Sequence, residues 1–431
     1  MIYILYLYFL GLLSSISIMD GFHTIFIFSF NFYFFKIKYF NSQKEMSLIR
    51  FPHELKVLLK LLLFWALWII VCYFVNEVSH PFKASFDNLR WILFIPACYF
   101  VSAIVISNYR SLILKDNQKK SFLFLIILTP IILLSLYSIS VSIMGINWLL
   151  PDRTASLHPL STISGGARAS GFFDNPMTFA HSFGVWICLL WGVALVYSSK
   201  IKSYSQKIFI YFVFTVFSSA IAFLLTFTRG AWLSVAIGVL FITFIYHRKL
   251  GQIISLLVTL GISGLLILST AFRERIFDIF KFQDSQSERL TLWKANWLII
   301  KEHPLFGVGH GQNYYYLDQY YQKMGVPFGF FKSHAHNQFI QFAAGSGIVG
   351  LIFYLVFIMF LFKTAIKYYR ETSIYNQPFL KAIALGTIAV IIHLFFGGLF
   401  ESNFEDAETL HNICFSIGFL FALNNSKNIK I

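Results

Sequence analysis

The chain is 431 residues long, 57% hydrophobic and only 12% charged, where a soluble domain carries about 25% charge. That balance excludes an ordinary soluble enzyme and defines an all-α polytopic membrane protein. The net charge of +15 would suit a nucleic-acid binder, but no basic domain exists outside the apolar runs, so no nucleic acid is expected as a partner.

Apolar runs long enough to cross about 30 Å of hydrocarbon fall at 2–18, 22–40, 57–75, 91–108, 121–143, 176–198, 207–227, 230–246, 252–270, 338–362, 379–399 and 408–424. The expectation is therefore about twelve spans in one integral membrane domain, 1–431, with a large polar loop, 271–337, between spans nine and ten. The first run has no basic stretch before it and no A-x-A site, so it is expected to stay as a span; translation from Met46 would remove the first two. Runs 207–227 and 230–246 are joined so tightly that a helical hairpin is expected.

Basic residues orient the spans. With the N-terminus in the cytoplasm, the cytoplasmic segments hold 21 basic and four acidic residues, and the opposite side holds 13 and 15. The positive charge is thus a topology signal. It places 144–175, the turn at Thr226–Gly230, the loop 271–337 and an acidic turn, 400–407, on the outer face. Four cysteines each lie singly in an apolar run, which offers no metal or redox motif.

Candidate chemistry sits on that outer face. Arg168 and Asp174 flank GGARASGFFDNP, where Arg168 can add to a basic cluster or merely face water. Arg229, in LLTFTRGAWLS, has no other charge within 15 residues; a charge there costs about 2.5 kcal/mol or more and marks function, unless it only snorkels. Arg289 lies near the start of SERLTLWKANWLIIKEHP, whose Leu292, Trp293, Asn296, Trp297 and Ile300 suggest an amphipathic helix on the membrane surface. There a guanidinium and the helix dipole can jointly hold an anion. Gly307, Gly309 and Gly311 mimic a dinucleotide loop, but no strand precedes them, so no nucleotide is expected. His334 and His336 stand at i, i+2 without a neighbouring Cys or carboxylate, a poor metal site. A neutral His336 suits a general base near pH 7. Asn337 follows, and Ala343, Ala344, Gly347 and Gly350 suit close helix packing.

These residues carry a resemblance. The chain resembles the O-antigen ligase and O-antigen polymerase superfamily of bacterial membrane glycosyltransferases. His336, Asn337, Gly347 and Gly350 fit the ligase pattern, and Arg229 with Leu233 fits its Arg-x3-Leu companion. His336 and Gly347 also fit a polymerase pattern, but the Arg-x10-Gly partner is absent after Arg153, Arg168 and Arg229. The resemblance implies a GT-C-like enzyme of the bacterial inner membrane with its active site facing the periplasm. It implies transfer of a glycan from undecaprenyl pyrophosphate to a lipid A core sugar, without cofactor, nucleotide or metal. His336 would act as base, Arg229, Arg289 and Arg168 would hold the pyrophosphate, and His334, Asn337, Gly347 and Gly350 would support them. A polymerase extending the lipid-linked glycan is the enzymatic alternative, and a lipid-linked glycan transporter the alternative of another class. A transporter should show broken helices at mid-membrane.

Overall fold

The computed structural model describes residues 51–76, 92–103, 117–159, 166–268, 284–327, 329–374 and 378–426. Among the described residues twelve α-helices follow in order: α1 (His53–Val75), α2 (Ile92–Ala103), α3 (Asn117–Met144), α4 (Pro176–Tyr204), α5 (Gln206–Leu224), α6 (Arg229–Tyr246), α7 (Arg248–Leu268), α8 (Asp284–Glu302), α9 (Asn313–Lys323), α10 (Gln338–Ile374), α11 (Pro378–Gly397) and α12 (Ala407–Ser426). The strand-like pairing among the described residues is one isolated bridge, Pro159 to Ala167. Helices α1, α3, α4, α5, α6, α10 and α11 supply seven segments long and apolar enough to cross a membrane. The chain is a multi-pass membrane protein. Of the other five expected spans, 2–18 and 22–40 lie outside the described residues. The expected span at 91–108 contains the short helix α2, while 252–270 and 408–424 fall in α7 and α12.

Helix α11 is the centre of the bundle. It packs against α4, α6, α10 and α12, and small residues let the backbones meet. A Cβ on Gly192 of α4 would lie 2.6 Å from the Gly386 nitrogen of α11, so only hydrogen fits at that crossing. The expected hairpin between α5 and α6 does not form. After the turn at 225–228 they diverge: α5 packs on α3 and α4, and α6 on α11, α4 and α7. Each helix buries its face against other partners, and the turn itself is tied to the preceding connection, with the Ala169 amide donating to the Leu225 carbonyl at 2.9 Å.

Helix α10 is broken. Ser346 and Gly347 leave helical geometry, Gly347 at φ 70°. The polar loop fills the break: the Ile348 amide donates to the Pro304 carbonyl at 2.9 Å, and the Val308 amide to the Ala344 carbonyl at 3.0 Å. Trp68 of α1 donates its indole N–H to the Ser346 carbonyl at 2.9 Å, and its ring stacks on Phe306. The glycine loop 307–311 is thus welded into a helix break, where backbone groups freed by the kink regain partners.

The polar loop has a small core of its own. Leu292, Ala295 and Ile299 of α8 bury against Val308, Leu317, Tyr320, Tyr321 and Ala344. The buried face of α8 therefore shares Leu292 and Asn296 with the one the sequence suggests and extends to Ala295 and Ile299. It faces protein, while Trp297 is 55% exposed.

Candidate active site

One end of the bundle gathers the polar connections. The turn 398–406, between α11 and α12, is laced to Gln338 at the start of α10 by two hydrogen bonds. The Gln338 amide donates to the Gly398 carbonyl at 2.7 Å, and the Phe404 amide donates to Gln338 Oε1 at 2.9 Å. Phe404 is buried beneath them against Trp65, Phe342, Tyr354 and Phe357. The turn is anchored from below and stitched from the side.

That stitching delivers Glu401 to the two histidines. His336 Nδ1 lies 2.9 and 3.0 Å from the two Glu401 carboxylate oxygens, and His334 Nε2 lies 2.6 Å from Oε1. A carboxylate only accepts, so the Nδ1 of His336 donates, and in the neutral ring Nε2 keeps its lone pair, facing away from Glu401. The Ser402 amide also donates to Glu401 Oε1 at 3.1 Å. Burial alone would raise the Glu401 pKa, but hydrogen bonds from His334 and His336 hold its carboxyl well below the usual range. Burial likewise disfavours a charged His334, yet Glu401, Glu405 and Asp406 together pull its pKa up.

The backbone between the histidines is clamped on both sides. The Ala335 amide donates to Gln341 Oε1 at 2.9 Å, and the Trp293 indole donates to the Ala335 carbonyl at 2.7 Å. Gln341 is itself held by Asn313, and Asn313 by Asn296, a buried amide ladder running back into α8. Asn337 caps α10, its Oδ1 accepting from the Phe339 and Ile340 amides, while its Nδ2 donates to the Leu399 carbonyl at 3.1 Å. His336 itself sits at φ 46°. A non-glycine residue there stores about 1–3 kcal/mol and persists only when its surroundings over-determine it; here the clamp and the cap do so.

The arginines arrive differently from one another. Arg289 donates through Nη1 to the Phe400 carbonyl at 3.2 Å, and its Nη2 lies 3.9 Å from Glu401 Oε2. Its side chain remains 32% exposed. Arg229 is the first residue of α6 and half-buried. The next residue, Gly230, lets Phe400 in so closely that a Cβ there would lie 2.7 Å from Phe400 Cβ. Arg168 donates through Nε to the Thr226 carbonyl at 2.8 Å and through Nη2 to the Thr228 hydroxyl at 3.0 Å. It braces the turn that presents Arg229. Gly347 and Gly350 are remote from the histidines and belong to the helix break: Gly347 packs under the Leu305 carbonyl, and Gly350 against Ser346.

The sequence reading of the histidines needs correction on one point. His334 and His336 do have a carboxylate beside them, supplied from 65 residues away. These three residues form a group of the kind that holds a metal ion, with ligand atoms within 4.8 Å of one another. No local spacing shows this. The available signal was the acidic turn itself, since Glu401, Glu405 and Asp406 follow an apolar span with no basic partner in sequence. Glu405 and Asp406 also proved to be largely enclosed. Burial, with Asp406 adding to it and His334 and Gln341 opposing, pushes the Glu405 carboxyl up to about 7. Asp406 is raised by burial and by Glu408 and Glu401, although Thr178 donates to its Oδ2 at 2.9 Å.

A helical membrane bundle with a carboxylate-bonded pair of histidines and nearby arginines at one end defines a class: an integral membrane protein whose polar and charged groups gather at one end of its spans. The family model for O-antigen ligase matches residues 214–355, a match that supports membership of the O-antigen ligase and polymerase superfamily. The matched stretch contains Arg229, Arg289, His334, His336, Asn337, Gly347 and Gly350, and leaves Arg168 and Glu401 outside. Among curated proteins, no match to the chain is found.

Proposed function

We propose that this protein is an O-antigen ligase of the bacterial inner membrane. It would transfer a glycan from undecaprenyl pyrophosphate to a sugar hydroxyl of the lipid A core at the periplasmic face. The observation that carries the reading is His336, oriented through Nδ1 by Glu401, inside the segment matched by the O-antigen ligase family. In the proposed step, His336 Nε2 takes the proton of the acceptor hydroxyl as its oxygen attacks the anomeric carbon in line, with inversion. The bond from that carbon to the pyrophosphate oxygen breaks, and the pyrophosphate leaves with the electron pair. Glu401 supports the imidazolium that forms. Arg289 and Arg229 offer guanidinium forks to the departing charge, so neither nucleotide nor metal is required. Arg168 acts by holding the turn before Arg229. Activity of the purified protein is therefore expected to survive a strong chelator; loss that one added divalent ion restores would overturn the arginine-only account.

The break in α10 does not favour the transporter reading. Its carbonyls and amides are taken by Pro304, Val308 and Trp68, whereas a transport site would keep them for cargo. The ligase and polymerase readings separate on a lipopolysaccharide gel after gene deletion. Loss of all attached glycan, with lipid-linked polymer accumulating, is expected. A single attached unit would mean polymerase.

A further inference from the structure

We infer that His334, His336 and Glu401 form a binding site for one zinc-class divalent cation, and that an ion bound there blocks the base. The donor atoms converge already: His334 Nε2, His336 Nδ1 and a Glu401 oxygen lie within 4.8 Å of one another. The closest pairs, at 2.6 and 2.9 Å, are hydrogen bonds. Zinc ligands at about 2.0–2.1 Å in tetrahedral array stand roughly 3.3 Å apart. An ion in place of the shared protons thus needs these two pairs to widen by roughly 0.4–0.7 Å. Two imidazoles and one carboxylate leave a fourth position open for water. Nitrogen donors select zinc over magnesium or calcium.

The surroundings suit a site. His334 is 44% exposed and gives the ion an approach from solvent. The ligands are held in place from behind by the Ser402 amide on Glu401 and by the Ala335 clamp. Arg289, 3.9 Å from Glu401, opposes a second positive charge, so binding should be weaker than at a structural zinc site.

The blocking effect follows from the tautomer. Zinc takes the Nδ1 lone pair of a neutral imidazole, so the ring's one proton must move to Nε2. That nitrogen then donates where the proposed mechanism needs it to accept. No electron is transferred and no covalent bond within the protein breaks, any proton displaced from His334 goes to solvent, and removing the ion restores the base. The blocking half rests on the function proposed above; the binding half does not.

Calorimetry on the full chain in nanodiscs, stripped with chelator and titrated with zinc chloride, tests the binding half. One saturable site per chain is expected, silent to magnesium. It should weaken at least about tenfold in His334→Ala and in the near-isosteric Glu401→Gln, and stay unchanged in His247→Ala at the opposite end of the bundle. No saturable binding, or equal binding in all variants, overturns the site. Glycan transfer by the wild-type protein should fall as zinc is added and recover with chelator. Transfer that zinc leaves unchanged or raises overturns the block. A protein that transfers nothing under any condition sinks the proposed function, while the calorimetry still decides the ion site.

Discussion

In the proposed reaction, Glu401 makes the difference between a histidine and a base. Its hydrogen bonds to His336 Nδ1 leave Nε2 of the neutral ring as the acceptor. His336→Ala should lower transfer by about 10²–10⁴-fold while donor binding persists. Glu401→Gln keeps the shape but presents an amide that need not fix the tautomer. It should lose less than His336→Ala, and the double variant should lose no more than His336→Ala alone. Membrane abundance, donor binding and transfer, measured side by side, check this; a fully active His336→Ala protein defeats the assignment. A second residue-scale expectation concerns Glu405. Its carboxyl is raised to about 7 by burial, so between its ordinary value and 7 the folded chain binds more protons than the unfolded one. Stability then falls as pH rises through that window, by on the order of 3 kcal/mol across it. In a melting series from pH 5 to pH 8, Glu405→Gln should flatten the decline; a slope identical to wild type contradicts it. His336, Arg229 and Arg289 were legible in the sequence because charge and imidazole are scarce among apolar spans. Glu401 was not, because its partner lies 65 residues away and no helical or strand period links the two.

At the scale of elements, α10 is two helices joined at Ser346–Gly347. The glycine spacing in the sequence points to close packing, and that is what occurs. What it does not show is the neighbour, which is the polar loop entering the break rather than another span. A Cβ on Gly347 would meet the Leu305 carbonyl at a φ of 70°, conflicting with both space and backbone. Gly347→Ala should therefore destabilise by at least about 1–3 kcal/mol. Because the same loop reaches the amide ladder behind Ala335, it should also lower transfer without touching a reacting group. Thermal melting and transfer rate together test this; a Gly347→Ala protein with unchanged melting temperature rules out the tight fit. The apolar face expected for α8 holds at Leu292 and Asn296 and fails at Trp297 for a related reason. A surface helix and one packed on a neighbouring loop show the same periodicity, and only the partner decides which stripe is buried. The α5–α6 hairpin failed similarly: a short connection brings helix ends together but does not oblige the helices to pack.

At the scale of the whole molecule, charge sorts to the two ends of the bundle. The end away from Glu401 gathers basic groups: Lys381 of α11 lies over the rings of Tyr246 and Tyr369, and Lys367 of α10 pairs with Glu54 of α1 at 2.6 Å. Helix ends from α1, α6, α10 and α11 thus meet there. The site end joins the starts of α4, α6, α10 and α12 with the ends of α5 and α11, which is the alternation that successive membrane crossings require. Lys and Arg are retained on the cytoplasmic side of spans, so the Lys381 end is expected in the cytoplasm and the Glu401 end outside it. Gly325 closes α9 in the polar loop, at φ 70° with open space where a side chain would be, so an insertion there disturbs little packing. A phosphatase reporter, active only outside the cytoplasm, should be active when fused at Gly325 and silent when fused at Lys249. A fusion at Arg168 should match Gly325, because Arg168 reaches the turn that opens α6 at the same end. If Gly325 and Lys249 report the same side, the bundle is threaded otherwise. If their signals are exchanged, the site faces the cytoplasm, and a ligase acting on periplasmic glycan is no longer tenable.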